Sequence, residues 1–131
     1  MTTEYKIITN TKNPLHGMIY EKVLLTICRD GFTLFYIEHQ TLEICLAALQ
    51  QNTESLEFVC PIFYQELGVV LLAEHEWKLF YYQGKYRAMC RGPWTAEEAL
   101  NHWNEFHLNQ ERATLFREAI VEHQKQLNKI A

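Results

Sequence analysis

The chain has 131 residues, a formal net charge of −4 at pH 7, a hydrophobic fraction of 48% and an aromatic fraction of 13%. This length and composition exclude a disordered chain and favour one folded domain. Sixteen acidic against twelve basic residues argue against a general binder of nucleic acid or anionic membranes, which carries excess positive charge.

The first residues lack the basic and then apolar layout of a signal peptide, and no apolar run reaches the roughly 18 residues of a membrane span. We therefore expect a soluble cytoplasmic protein without membrane attachment. The four cysteines have no paired spacing and are expected to be reduced, the first three in the core. They are Cys28, Cys45, Cys60 and Cys90.

In chain order, residues 4–9 favour a short strand. Asn13 and Pro14 then predict an N-cap with proline in the first helical turn, and the helix is expected to run to about Arg29. Asp30 and Gly31 are expected to end it, before a shorter helix over about 32–37. The predicted inward stripe of the first helix is Ile19, Val23, Leu24 and Ile27.

A second helix is predicted after Thr41, which is a suitable N-cap, with Glu43 in the first turn. Asn52 and Thr53 are expected to recap the chain for a short helix to about Val59. The predicted inward stripe of the second helix is Leu42, Cys45, Leu46 and Leu49.

These two segments, 20–37 and 42–59, align with each other at a fixed offset, which is typical of stacked helix-turn-helix units. Two unrelated amphipathic helices at a coincident spacing would give the same pattern. The identical pairs are Glu21 with Glu43, Leu24 with Leu46, and Leu34 with Leu56.

These two units, over residues 20–59, resemble a short helical repeat that occurs in tandem in intracellular bacterial effectors and giant-virus proteins, and residues 30–37 and 40–59 carry the resemblance. The resemblance covers about a third of the chain. It implies a helical-repeat fold, and it implies no activity, because the family has no agreed function.

The segment 63–73 is predicted as a helix, although its valines favour a strand equally. A β-hairpin is expected next, from strands 77–82 and 85–90 around Gln83 and Gly84. A two-residue loop would place three pairs opposite each other on the inward face, whereas a bulged three-residue loop would shift the register. The pairs are Tyr81 with Tyr86, Leu79 with Ala88, and Trp77 with Cys90.

The opposite face of this hairpin is the predicted partner-binding surface. We call it the hairpin surface, and it consists of Lys78, Phe80, Tyr82, Lys85, Arg87 and Arg91. Exposed aromatic rings beside Lys and Arg stack on bases or anchor a protein interface. A solvated face without a partner is the alternative.

Two C-terminal helices are predicted. Thr95 and Glu98 form a capping box, and Asn109 is expected to cap a last helix of about twenty residues. The expected inward positions are Ala96, Ala99, Leu100, Trp103 and Phe106 in the first helix, and Ala113, Phe116, Ile120, His123, Leu127 and Ile130 in the second. The inward positions of the last helix pack on its own domain or pair with another copy, so the chain is expected to be a monomer or a homodimer.

The sequence carries no recognised catalytic or metal-binding pattern. It has no Cys-x-x-Cys, no His-Glu-x-x-His and no pair of histidines three or four residues apart. We therefore predict neither an enzyme nor a metal or cofactor. A cleft formed by Cys90, His102 and His107 is the enzymatic alternative.

The sequence thus predicts a mainly α (α+β) single domain over 1–131. Its parts are a repeat-like helical half at 20–59, a hairpin at 77–91 and C-terminal helices at 95–130. The preferred function is non-enzymatic protein binding, as in a small cytosolic inhibitor, immunity-type protein or adaptor from a bacterium or phage, with a basic protein as partner. Weak nucleic-acid binding through the hairpin surface is the alternative.

Overall fold

The computed structural model describes residues 13, 15–89 and 91–130. The chain divides into two compact units, Met1–Leu67 and Gly68–Ala131, which we call the helical unit and the sheet unit. The predicted class, mainly α with an antiparallel β component, is confirmed. The prediction of a single domain remains a prediction. The expected strand at 4–9, Pro14 and Cys90 lie outside the described residues.

The helical unit contains α-helices that alternate with 3-10 helices. In order they are α1 (Tyr20–Arg29), a first 3-10 helix (Gly31–Tyr36), α2 (Leu42–Gln51), a second 3-10 helix (Thr53–Phe58), a third 3-10 helix (Pro61–Phe63) and α3 (Tyr64–Leu67). The two short helices predicted after the first two long ones are therefore present.

The predicted start of the first helix at Asn13 is wrong, because α1 begins at Tyr20. Gly17 has φ +84°, a left-handed value that interrupts a right-handed helix. The Asn13 side chain accepts a hydrogen bond from the amide of Leu15 at 2.9 Å, and its Nδ2 donates to the carbonyl of Tyr36 at 2.6 Å. Asn13 thus ties a turn to the first 3-10 helix instead of capping α1.

Each of the first two α-helices ends in a residue whose side chain caps the following 3-10 helix. Oδ1 of Asp30 accepts from the amide of Phe32 at 3.0 Å, and Oδ1 of Asn52 accepts from the amide of Glu54 at 3.0 Å. Asp and Asn favour this local bond to the backbone over continued α-helix. The predicted breaks at these two residues are confirmed.

Two glutamine side chains join neighbouring elements of the helical unit. Oε1 of Gln51 accepts from the amide of Gly31 at 2.7 Å, while its Nε2 donates to the carbonyl of Arg29 at 3.1 Å. Nε2 of Gln40 donates to the carbonyl of Phe58 at 2.6 Å, and its Oε1 accepts from the amide of Cys60 at 2.8 Å. These bonds satisfy backbone groups at the ends of helices.

The predicted inward stripe of α1 is right at its centre, where Val23 and Ile27 are buried. The stripe of α2 is partly wrong. Cys45 and Leu49 are buried as predicted, but Leu42 and Leu46 are exposed. The buried face of α2 consists of Ile44, Cys45, Ala48 and Leu49. Because α2 is apolar around most of its circumference, its sequence periodicity does not define the inward face.

The cysteines are less buried than predicted. Cys45 is buried, Cys60 is half-buried and Cys28 is exposed on α1, so the core position predicted for Cys28 is wrong. All three are free thiols. Residue 28 directly follows the buried Ile27 on α1 and so faces about 100° away from the core.

The sheet unit contains four strands followed by two helices. They are β1 (Val70–His75), β2 (Trp77–Tyr82), β3 (Lys85–Ala88), β4 (Arg91–Trp94), α4 (Ala96–His102) and α5 (Gln110–Ile130). The strands form one antiparallel sheet in the order β1-β2-β3-β4. The helix predicted over 63–73 is present only as α3, and the prediction is wrong for the residues that follow Leu67. Gly68 at φ +73° ends that helix, and Val70 begins a strand that pairs with β2.

The predicted register of the hairpin is confirmed for the two pairs nearer the loop. Cys90 of the third predicted pair lies outside the described residues, and β3 ends at Ala88, before the predicted end of this strand at residue 90. Tyr81 pairs with Tyr86 and Leu79 pairs with Ala88 across β2 and β3. Gln83 and Gly84 have φ values of 52° and 78°, as a tight two-residue loop requires. Since the period of a strand is two, this register fixes which side chains share each face.

The core of the sheet unit lies between one face of the sheet and helices α4 and α5. Its fully buried members are Leu79, Tyr86, Ala88, Ala99, Trp103, Ala113, Phe116 and Ile120. The predicted capping box is confirmed. The hydroxyl of Thr95 accepts from the amide of Glu98 at 3.2 Å, and the carboxylate of Glu98 accepts from the amide of Thr95 at 3.0 Å. Asn109 caps α5 by accepting from the amide of Arg112 at 3.0 Å.

Two predicted inward positions are exposed. Phe106 lies in the loop between α4 and α5 and is 83% exposed, and Ile130 lies at the end of α5. Helix α4 ends at His102, earlier than a helical spacing to Phe106 requires. The predicted inward positions of α5 are buried from Ala113 to His123.

Candidate functional site

The hairpin surface is smaller than the sequence predicts. Lys85 and Arg91 are exposed, and Lys78 and Tyr82 are half-buried. Phe80 and Arg87 are buried, so their predicted exposure is wrong. Both lie in the middle strands of the sheet, where they are directly opposite each other. The sequence predicted that this face of the hairpin is open to solvent, whereas these two side chains on it are buried.

A second surface, which we did not predict from the sequence, lies on the helical unit. We call it the aromatic surface, and it consists of Phe32, Phe35, Tyr36 and Phe58. The first three side chains are 39%, 64% and 43% exposed. Apolar rings grouped in this way on a soluble protein mark interaction sites more often than single exposed residues do.

The rings of the aromatic surface contact one another edge to face. The centroid of the Phe58 ring lies 5.3 Å from that of Phe35 and 6.1 Å from that of Phe32. The rings of Phe35 and Tyr36 lie 5.2 Å apart at 85°. Such perpendicular pairs are favourable, so the rings hold one another in place while parts of their faces remain accessible to solvent.

The first 3-10 helix explains why these aromatic residues are exposed together. A 3-10 helix has three residues per turn, so positions i and i+3 lie on one face. Phe32 and Phe35 share the outer face for this reason, while Thr33 and Leu34 are buried. A sequence signal was therefore present in the aromatic residues at 32 and 35, which lie three residues apart.

The aromatic surface borders a depression of about 470 Å³. Its lining consists of Asp30, Phe32, Thr33, Phe35, Tyr36 and Phe58. Asp30 is the charged residue of this lining. A second depression of similar volume follows the outer side of α5, where Arg117 and Lys125 alternate with Glu118 and Glu122. That lining is mixed in charge and holds no aromatic side chain.

The two histidines of the enzymatic alternative pack among aromatic rings. His102 stacks on Trp94 with centroids 4.6 Å apart, and His107 lies 4.7 Å from Trp103. Burial lowers the pKa of His102, and electrostatic repulsion from neighbouring basic side chains lowers it further. Cys90 lies outside the described residues, so the predicted cleft remains a prediction.

A buried cysteine of the helical unit is unsuited to nucleophilic chemistry. Burial raises the pKa of Cys45 to about 11, so its thiol is protonated at neutral pH. The Cys45 thiol donates to Oε1 of Gln40 at 3.1 Å. Over residues 13, 15–89 and 91–130, no group of three or more His, Cys, Asp or Glu side chains is placed to hold a metal ion.

A polar contact inside the sheet unit predicts a dependence of stability on pH. Nδ1 of His123 lies 2.7 Å from the hydroxyl of Tyr86, which also accepts from Gln124 at 2.6 Å. Burial lowers the pKa of His123. The unfolded chain therefore binds a proton more readily than the folded chain as the pH falls below about 6.5.

We expect the free energy of unfolding of the sheet unit to fall as the pH is lowered from 7 to 5. The slope contributed by one histidine is at most about 1.4 kcal/mol per pH unit. His102, whose pKa is also lowered, contributes with the same sign. Urea unfolding at several pH values should show that the free energy of unfolding falls less between pH 7 and pH 5 for His123→Gln than for the wild type. Equal losses in the two proteins would contradict this assignment.

Comparison of the chain with protein-family models, with curated proteins and with solved structures finds no match. In the part of the chain that the structure describes, none of the helices has both the length and the apolar character of a membrane span.

Proposed function

We propose that the chain is a non-enzymatic protein-binding module, of the kind that serves as a cytoplasmic inhibitor, immunity-type protein or adaptor. The observation that carries the proposal is the aromatic surface, in which the exposed rings of Phe32 and Phe35 contact Phe58 and the exposed ring of Tyr36 contacts Phe35. Aromatic side chains are enriched at the residues that contribute most to protein–protein binding.

We also propose that the elements from α1 to the second 3-10 helix are two copies of one repeat unit. Three features support this. Both α-helices have ten residues, both 3-10 helices have six, and the capping residues Asp30 and Asn52 stand at equivalent positions. Stacked repeats present continuous surfaces to partners, and the aromatic surface takes residues from both copies.

The partner is proposed to be a basic protein because the helical unit is acidic. Residues 1–67 contain eight acidic side chains and four basic ones. Residues 68–131 contain eight of each sign. The acidic charge of the chain is therefore concentrated in the unit that carries the aromatic surface, and complementary charge speeds association and selects partners.

Replacing Phe35 with alanine should abolish partner capture without unfolding the protein. The side chain is 64% exposed, so its loss removes contact area for a partner and little of the core. The experiment compares affinity capture from a lysate of the source organism by the wild type, Phe35→Ala and Leu25→Ala. Leu25 is a matched control, because it is 61% exposed on α1 of the same unit.

The proposal predicts one stoichiometric protein that the wild type and Leu25→Ala capture and that Phe35→Ala does not. Equal capture by all three proteins, or capture of no protein, would contradict it. A bound species that disappears after nuclease treatment would instead support the nucleic-acid alternative, through the exposed Lys85 and Arg91 of the hairpin surface. Circular dichroism of each variant checks that the fold is retained.

A further inference from the structure

The aromatic surface carries one carboxylate at its border. Asp30 is exposed and lines the depression together with Phe32, Phe35 and Tyr36. One oxygen of its carboxylate accepts from the amide of Phe32 at 3.0 Å. A carboxylate offers about four acceptor positions, so the cap leaves acceptor capacity on Asp30. Among the described residues, no salt bridge engages Asp30.

The helical unit that carries this position is net acidic. Of the charged residues in 1–67, eight are acidic and four are basic. The faces of aromatic rings are also electron-rich and attract cations. A cation that enters the depression is therefore attracted both by the Asp30 carboxylate and by the rings of Phe35 and Tyr36.

Arginine fits these two features better than lysine does. Its guanidinium is planar, stacks on aromatic faces, and pairs with a carboxylate through two parallel hydrogen bonds. It is also less strongly hydrated than an ammonium group. The remaining exposed area of the rings requires apolar neighbours beside the arginine, because a guanidinium alone does not cover three rings.

We infer that the aromatic surface receives an arginine flanked by apolar residues on a partner protein, with the guanidinium between the Asp30 carboxylate and the rings of Phe35 and Tyr36. This inference rests on the proposed function and specifies its partner. The second 3-10 helix provides the internal comparison. The equivalent capping residue there is Asn52, which makes the same hydrogen bond to the backbone without a charge.

This equivalence supplies a conservative variant. Asp30→Asn places at the first cap the residue that the second cap already uses, and Asn and Asp are similar N-caps. The variant removes the charge and retains the cap. Asn52→Asp is the matched control, because it adds a charge at a cap that does not line the depression.

The probe is an acetylated and amidated leucine–arginine–leucine tripeptide. The comparison probe contains citrulline in place of arginine, which keeps the shape and removes the charge. Titrations are followed by the chemical shifts of the backbone amides of the protein. We expect saturable shifts at residues 30–36 and 58 with the arginine peptide, and weaker binding of the citrulline peptide.

Asp30→Asn should weaken binding of the arginine peptide by roughly two- to fivefold, as expected for one exposed ion pair. The citrulline peptide should bind the wild type and Asp30→Asn equally. Asn52→Asp should bind the arginine peptide as the wild type does. Raising the salt concentration should weaken binding of the arginine peptide and leave binding of the citrulline peptide unchanged, because exposed charges are screened.

Equal binding of the two peptides, no saturable shift at the aromatic surface, or an unchanged affinity in Asp30→Asn would overturn the inference. Such a result is distinguishable from failure of the proposed function. Partner capture that depends on Phe35 and is unaffected by Asp30→Asn would support the protein-binding proposal and reject the arginine. Loss of partner capture in Phe35→Ala and in Asp30→Asn, with capture retained in Asn52→Asp, would support the protein-binding proposal and the arginine inference together.

Discussion

Replacing Trp103 with alanine is expected to destabilise the sheet unit by about 3–5 kcal/mol, the usual cost of removing a large buried aromatic side chain. Trp103 is fully buried at the end of α4. Its ring lies 4.9 Å from that of Phe116 and 6.1 Å from that of Trp77. The indole therefore joins α5 to β2, and its removal would leave a cavity between them.

Hydrogen exchange of the backbone amides in β2 and β3 measures this effect within the sheet unit. Trp103→Phe is the control, since it keeps an aromatic ring and removes an indole N–H that has no hydrogen-bond partner among the described residues. Trp103→Phe should reduce the free energy of unfolding distinctly less than Trp103→Ala does. A loss below about 1 kcal/mol for Trp103→Ala, the size common for ordinary substitutions, would show that this ring does not organise the core.

Replacing Gly31 with alanine is expected to destabilise the helical unit by about 2–3 kcal/mol, toward the upper end of the cost of overpacking. A Cβ at this position would lie 2.6 Å from the carbonyl oxygen of Ala48 and 2.6 Å from Oγ of Ser55. The first of these is a backbone atom of α2, which can move only if the helix moves. The absence of a side chain at Gly31 therefore allows α2 to approach the first 3-10 helix.

A double-mutant cycle with Ser55 tests the cause of this cost. Oγ of Ser55 is buried and has no hydrogen-bond partner among the described residues, so Ser55→Ala alone should be nearly neutral. In that background Gly31→Ala should cost less, because one of the two obstructing atoms is absent. Thr53→Ala, at the position of the second unit equivalent to Gly31, should change stability little. An unchanged free energy of unfolding in Gly31→Ala would contradict this packing.

Local chemistry in the sequence predicted several elements correctly. The capping box at Thr95 and Glu98, the breaks at Asp30 and Asn52, and the register around Gln83 and Gly84 depend on residues within a few positions of one another. Such features can be derived from the sequence because the same short segment contains both the donor and the acceptor of each bond.

Features that depend on tertiary packing were predicted less well. The inward face of α2 was misplaced because that helix is apolar on most sides, and β1 was predicted as helix because its pairing with β2 is invisible in a local pattern. The burial of Phe80 and Arg87 was missed because strand alternation shows which residues share a face and does not show whether that face is exposed. The aromatic surface was missed because Phe58 reaches Phe32 and Phe35 only through the stacking of two 3-10 helices.

The most direct test of the proposed function is the dissociation constant of the captured protein, measured by calorimetry with three forms of this chain. They are the wild type, Phe35→Ala, and the charge-reversed hairpin surface Lys85→Glu/Arg91→Glu. We predict that Phe35→Ala weakens binding by at least about tenfold, as at a residue central to an interface, while the charge-reversed form does not weaken it. Unchanged affinity in Phe35→Ala, together with weaker binding by the charge-reversed form, would contradict this account and assign the partner to the hairpin surface.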